Sequence, residues 1–148
     1  MSKRRAIHLR GGPRILEECR KLRATRFPRG LPTGEAVATT AGDLPAKYVI
    51  HTVGPITRPG RPPASDLLAA CYRNSLALAA ELGLRSIAFP AISTGAYGFP
   101  REAAAPVVSS AIESFLRDTP SLKEIRLVFF QSLDANIFFE HHSFSGGR

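Results

Sequence analysis

A chain of 148 residues with 44% hydrophobic content is long enough for one ordinary globular domain, and its 22% charged residues and nine Phe exclude a disordered chain. It contains no apolar run near the ~20 residues of a membrane span, and its basic N-terminus lacks the apolar stretch of a signal peptide. The net charge of +8 arises in residues 1–29, which hold ten Lys and Arg against two acids.

This basic segment has two interpretations. It could attract the phosphates of a nucleotide ligand or of nucleic acid. Alternatively, it forms a solvated helix face with a general preference for anionic ligands, which is the interpretation we favour. Phe27 is the one aromatic residue among these charges, so a stacking platform for single strands is poorly supported and nucleic acid is not the expected partner.

We expect a single domain over residues 1–148, with a basic start at 1–5 and a mobile tail at 143–148. Cys19 and Cys71 each lie at an apolar position of a helical pattern, and the sequence contains no CxxC. They are therefore expected to be reduced core residues rather than a disulfide or a metal pair. This predicts a cytoplasmic protein without membrane association.

Helical and strand patterns alternate along the chain. The first helix begins at Gly12-Pro13 and runs to about Leu22. Two strands, a helix capped by Ser65, and then alternating strands and helices follow, at residues 35–40, 48–53, 65–82, 86–92, 101–117, 124–131 and 133–142. Pro106 removes a backbone donor from the helix after Pro100 and is expected to kink it. The order predicts a layered α/β sheet.

The stretch FPAISTGAYGFP, residues 89–100, joins a buried strand to a helix through a short glycine loop. That order places free backbone N–H groups at a positive helix end, where an anionic group can dock. Ser93 and Thr94 add hydroxyl donors, and Tyr97 adds a flat face that could stack on a sugar or base. Because ligands of open α/β sheets bind at the carboxyl ends of strands, we favour a binding loop over a plain connecting turn.

The histidines do not predict a catalytic or metal site. His51 lies inside a predicted strand, where a packed or backbone-bonded histidine is the expected arrangement, and a structural role is also favoured for His8. His141 and His142 lack a carboxylate or Cys partner at metal-ligand spacing. The sequence contains no nucleophile elbow, Walker loop or zinc pattern.

Three segments carry a family resemblance: AIHLRGGPRILEECRKL, TGEAVATTAGDLPAKYVIHTVGP and SIAFPAISTGAYGFPREAAA. Together they resemble the MacroD-type branch of the macrodomain family, whose members remove ADP-ribose from proteins and deacetylate O-acetyl-ADP-ribose. The resemblance runs from Ala6 to about Ser132. It implies a three-layer α/β/α fold, a monomer without metal or cofactor, ADP-ribose or O-acetyl-ADP-ribose as ligand, and ADP-ribosylated protein as a further partner. Its phosphate and distal-ribose loop falls on Ser93, Thr94, Gly95, Ala96 and Tyr97.

The chain departs from that branch before Ala6. There the branch has two strands, an Asn-Ala-Ala-Asn turn and a glycine-rich loop ending in a catalytic aspartate, and Arg4 stands where that aspartate would align. An arginine cannot act as a base at neutral pH, so we assign no catalytic residue. One of these strands is central in the family's sheet. We therefore expect an N-terminally truncated sheet whose halves close up, or whose gap a partner or an upstream segment fills.

Three functions follow from the resemblance and the departure. The first is a hydrolase of ADP-ribosyl esters or O-acetyl-ADP-ribose, in which the substrate's own diphosphate helps to place water. The second is a binding module that holds ADP-ribose without turnover. Nucleic-acid association through the basic segment is the third and weakest. We expect ADP-ribose to bind weakly. We expect hydrolysis to stay near background, because a general base accelerates such a reaction by ~10²–10⁴-fold and no residue is assigned that role here.

Overall fold

The computed structural model describes residues 2–146, and this part of the chain forms five helices and four strands. In chain order they are α1 (Lys3–Gly11), α2 (Pro13–Thr25), β1 (Ala36–Thr40), β2 (Tyr48–Thr52), α3 (Ser65–Glu81), β3 (Ser86–Pro90), α4 (Arg101–Asp118), β4 (Glu124–Val128) and α5 (Ser132–His141). The predicted α/β fold is confirmed. None of these helices has the length and apolar character to cross a bilayer.

Helix α1 is an element that the sequence pattern does not predict. Its first turn holds Lys3 and two arginines and lacks an acidic residue. Cations are unfavourable at the positive end of a helix, so this composition does not predict a helix start. The Ser2 hydroxyl nevertheless caps α1 by accepting a hydrogen bond from the Arg5 N–H at 3.2 Å. Gly12, with φ of +77°, ends α1 and lets α2 begin at once with Pro13.

Several predicted boundaries are wrong by a few residues. Strands β3 and β4 end at Pro90 and Val128, two and three residues earlier than predicted, because the chain turns away into loops there. Ser65 is the first residue of α3 rather than its cap, since Ala64 occupies the cap position without a side-chain hydrogen bond. Helix α4 continues through Pro106 as one element.

The four strands form two separate sheets of two strands. Strands β1 and β2 are antiparallel, with Ala38 opposite Ile50, whereas β3 and β4 are parallel, with Ala88 opposite Arg126. Within residues 2–146, no strand pairing joins the two sheets, so β2 and β3 each keep an unpaired backbone edge. Helix α3 contacts strands of both sheets and so connects them through side-chain packing.

The core lies between α3, α4 and the β3–β4 sheet. Leu68 and Leu76 of α3 are fully buried and belong to the same cluster as Ile112 of α4 and Phe89 of β3. The Tyr72 ring packs on Phe89 with their centroids 4.8 Å apart. Burial strongly raises the pKa of the Tyr72 hydroxyl, which keeps it neutral. This packing places β3 in the core, so the loop that follows it starts at the edge of the core.

The segment expected to be a mobile tail makes hydrogen bonds to α4 over its first residues. The Ser143 N–H donates to the Ser109 hydroxyl at 2.8 Å, and the Ser145 N–H donates to the Glu113 carboxylate at 2.6 Å. Phe144, between them, packs against the core cluster. The last two residues of the expected tail, 147 and 148, and Met1 of the basic start lie outside the described residues.

Candidate functional site

The predicted binding loop connects the end of β3 to the start of α4. Inside it, the Gly98 N–H donates to the Gly95 carbonyl at 3.0 Å, and the Phe99 N–H donates to the Ser93 carbonyl at 2.9 Å. Gly98 has φ of +77°, a backbone conformation that favours glycine. Phe99 is fully buried in the core, and it thereby anchors the far end of the loop.

The segment after β2 packs directly on this loop. The Thr57 N–H donates to the Tyr97 carbonyl at 2.7 Å. A Cβ placed on Gly54 would overlap the Ser93 hydroxyl oxygen and the Ile92 side chain, so the lack of a side chain at Gly54 allows the close approach. The carboxyl ends of β2 and β3 therefore meet at the predicted site, although the strands themselves do not pair.

The backbone N–H groups of residues 93–97 have no acceptor within the described chain. Among the hydrogen bonds of residues 2–146, none has the N–H of Ser93, Thr94, Gly95, Ala96 or Tyr97 as its donor to another backbone or side-chain acceptor. The first N–H groups of α4 follow directly, and a helix leaves these without internal partners. Such a concentration of free amides beside a positive helix end suits a diphosphate or another anionic group.

The five predicted site residues differ in exposure. Gly95, Ala96 and Tyr97 are exposed, and Thr94 is half-buried. Ser93 is only 9% exposed, and its hydroxyl has no hydrogen-bond partner among the described residues. Its φ of +63° is an uncommon conformation for a residue with a side chain and turns the chain sharply at the end of the strand. Among these five residues, the exposed part is therefore Gly95, Ala96 and Tyr97, and Ser93 lies largely inside the fold.

Charged side chains lie near both ends of the loop. The Lys3 Nζ donates to the Ala91 carbonyl at 2.6 Å, and the Arg101 Nε lies 2.6 Å from the Asp134 Oδ1. Thr94, Arg101 and Asp134 are among the residues that line a largely apolar cavity of about 30 Å³ between β3, β4, α4 and α5. This cavity holds roughly one or two waters and is too small for a nucleotide. Lys3 and Asp134 were missed because no local pattern links them to Ala91 or Arg101.

His51 is a packed histidine, in agreement with the prediction for it. Its Nε2 lies 2.8 Å from the Thr39 hydroxyl and 3.9 Å from the Cys19 sulfur. Burial lowers the pKa of His51, and the neighbouring His8 and Arg4 lower it further. His51 is therefore held neutral within β2, where its ring contacts Thr39 and Cys19 and, among the described residues, hydrogen-bonds to none of the loop.

This lowered pKa predicts that the protein loses stability in mild acid. The pKa of His51 in the folded protein lies below its ordinary value near 6.5. The contribution of neutral His51 to the free energy of unfolding is therefore complete above about pH 6.5. It falls as the pH drops below that value, because the unfolded chain takes up the proton more readily than the folded one. Urea unfolding at about pH 7.5 and 5.5 measures the loss. His51→Gln should reduce this loss, whereas His141→Gln, on an exposed α5 residue, should leave it unchanged. An equal loss in all three proteins would contradict the assignment.

The two cysteines are both free thiols, but Cys19 is half-buried on α2 rather than a core residue as predicted. Cys71 is fully buried, and its thiol donates to the Val53 carbonyl at 3.3 Å. Burial raises the pKa of both Cys71 and Cys19, which makes each a poor nucleophile. Across residues 2–146, His, Cys, Asp and Glu side chains do not gather in a group of three or more that could hold a metal ion.

The chain is similar to known proteins. Residues 4–108 match the family model described as Macro domain. A macro domain-containing protein of Streptomyces griseus is 55% identical over 136 residues, which cover 91% of this chain and 73% of that protein. A protein of Escherichia fergusonii named O-acetyl-ADP-ribose deacetylase is 46% identical over 133 residues, which cover 90% of this chain and 74% of that protein.

Among solved structures, the Oceanobacillus iheyensis macrodomain with ADP superposes with a TM-score of 0.89 at 38% identity, covering 95% of this chain and 74% of that chain. A mutant of the same macrodomain has been solved with ADPR. The family-model match covers most of the chain, and the relatives exceed 40% identity over most of its length. With this sequence similarity and this fold, the chain belongs to the macro domain family.

Proposed function

We propose that this chain binds ADP-ribose through the loop formed by residues 93–97. The diphosphate lies on the free N–H groups of Ser93, Thr94, Gly95, Ala96 and Tyr97, and the exposed Tyr97 ring packs on the distal ribose. The observation that carries the proposal is the set of five loop amides whose N–H groups make no hydrogen bond within the described chain. The solved relatives with ADP and ADPR support the same ligand class.

Hydrolysis of O-acetyl-ADP-ribose is the second candidate, and the name of the Escherichia fergusonii relative favours it. The charged groups beside the loop suit binding better than proton abstraction. Arg101 cannot act as a base, and the Asp134 carboxylate is already engaged by Arg101. The Lys3 ammonium donates to a carbonyl. We therefore propose a monomeric binding module for ADP-ribose or ADP-ribosylated protein, with O-acetyl-ADP-ribose turned over near background by this chain.

Calorimetric titration tests this function. ADP-ribose is expected to bind saturably, whereas adenosine, which lacks the diphosphate, is expected to give no saturable heat. No saturation with ADP-ribose would overturn the proposal. Acetate release from O-acetyl-ADP-ribose should stay near background, and a rate equal to that of the Escherichia fergusonii enzyme in the same assay would establish the hydrolase instead. Salt-sensitive retention of RNA, abolished by charge reversal at Arg20 and Arg23, would favour the nucleic-acid alternative.

A further inference from the structure

Lys3 contacts the segment just before the candidate loop although it is remote from it in sequence. Its ammonium donates to the carbonyl of Ala91, 88 positions further along the chain, at 2.6 Å. Ala91 directly follows β3 and precedes Ser93 by two residues. The contact therefore brings the Lys3 ammonium next to the strand end from which the loop departs.

The ammonium of Lys3 keeps unused hydrogen-bonding capacity. A lysine carries three N–H donors, and in residues 2–146 its hydrogen-bond acceptor is the Ala91 carbonyl. Asp134 is close enough to raise the pKa of Lys3, against the larger lowering by burial, but the direct ionic partner of Asp134 is Arg101. Two cations thus lie near one carboxylate, and these three groups together carry a net positive charge.

The first turn of α1 also lacks compensation for its charge. Lys3, Arg4 and Arg5 occupy this turn without an acidic residue, at the end of the helix where the dipole is positive. Cations are disfavoured at that position, and an anion bound nearby would offset the repulsion. The arrangement therefore favours a site that is completed by an anionic ligand.

We propose that Lys3 is a ligand-contacting residue whose ammonium pairs with the diphosphate of a nucleotide bound at residues 93–97, so that it selects anionic ligands over neutral nucleosides. This inference rests on the function proposed above. Lys3 supplies a mobile point charge, while the loop amides supply fixed dipoles. Phosphate oxygens that accept from both would be held on two sides, by the start of α1 and by the loop.

Three single variants test the role of Lys3 by calorimetry with ADP-ribose. Lys3→Gln is expected to weaken binding by about 5- to 20-fold at low salt and to reduce the dependence of the dissociation constant on salt. Lys3→Arg keeps the charge and should bind nearly as well as the unchanged chain. Lys21→Gln makes the same change of charge at an exposed position of α2 and should have little effect.

The outcomes separate this inference from the proposed function. If the unchanged chain does not bind ADP-ribose, the proposed function fails. If it binds and Lys3→Gln binds equally well, the inference about Lys3 is overturned. It is also overturned if Lys21→Gln or Lys3→Arg weakens binding as much as Lys3→Gln does. Because Lys3 is exposed, thermal unfolding of all three variants should match that of the unchanged chain.

Discussion

Gly95→Glu is expected to weaken ADP-ribose binding by about 100-fold, which corresponds to about 2.7 kcal/mol. The substitution places a carboxylate among the amides proposed to hold the diphosphate, where like charges about 4 Å apart repel by about 4 kcal/mol at an intermediate dielectric. A Cβ at Gly95 meets no atom within 4 Å, and its φ lies outside the left-handed region, so the fold should tolerate the new side chain. Calorimetry measures the affinity.

Two further variants complete this test. Ala24→Glu makes the same change of net charge at an exposed position of α2, and it should leave the affinity within about twofold. Gly95→Ala adds a methyl group without charge, so it distinguishes repulsion from crowding. If Gly95→Glu binds ADP-ribose as well as the unchanged chain does, the diphosphate does not lie on this loop and the proposed site is wrong.

Leu76→Ala is expected to destabilise the fold by about 2–5 kcal/mol. Leu76 has 0% exposure in the cluster between α3 and α4, so truncation removes buried methyl groups and leaves a cavity. Leu67 lies on the same helix and is 41% exposed, and Leu67→Ala is expected to cost less than about 1 kcal/mol. Urea unfolding monitored by circular dichroism measures both values, and similar midpoints for the two variants would show that α3 does not carry the core.

The elements that could be predicted from the sequence are those with a strong local signal. Apolar periodicity located α2, α3 and α4, and β-forming residues located the strands to within three residues. The glycine loop was predicted because a strand, a glycine pair and a helix start lie within one short stretch. Gly83 follows the apolar pattern of α3, which predicts that the helix ends there, and its φ of +71° is typical of a glycine after a helix end.

Features that depend on distant contacts were not predicted. The approach of Lys3 to Ala91 and the pairing of Arg101 with Asp134 depend on how the elements pack, and no residue spacing encodes them. Helix α1 was missed because its helix-stabilising feature is one Ser2 cap, while three cations dominate its first turn. The contact between Gly54 and Ser93 joins two separate loops, and a glycine in the sequence does not identify the neighbour for which it leaves space.

The division of the strands into two pairs has a mechanical consequence. The β1–β2 pair and the β3–β4 pair are connected by packing on α3 rather than by hydrogen bonds between strands. Packed surfaces of this kind can slide past each other in small shear movements. The boundary between the two strand pairs reaches Gly54 and Ser93, where the candidate loop begins. A nucleotide bound at the proposed site would contact both sides of this boundary, and each tenfold excess over its dissociation constant would add about 1.4 kcal/mol to the free energy of unfolding.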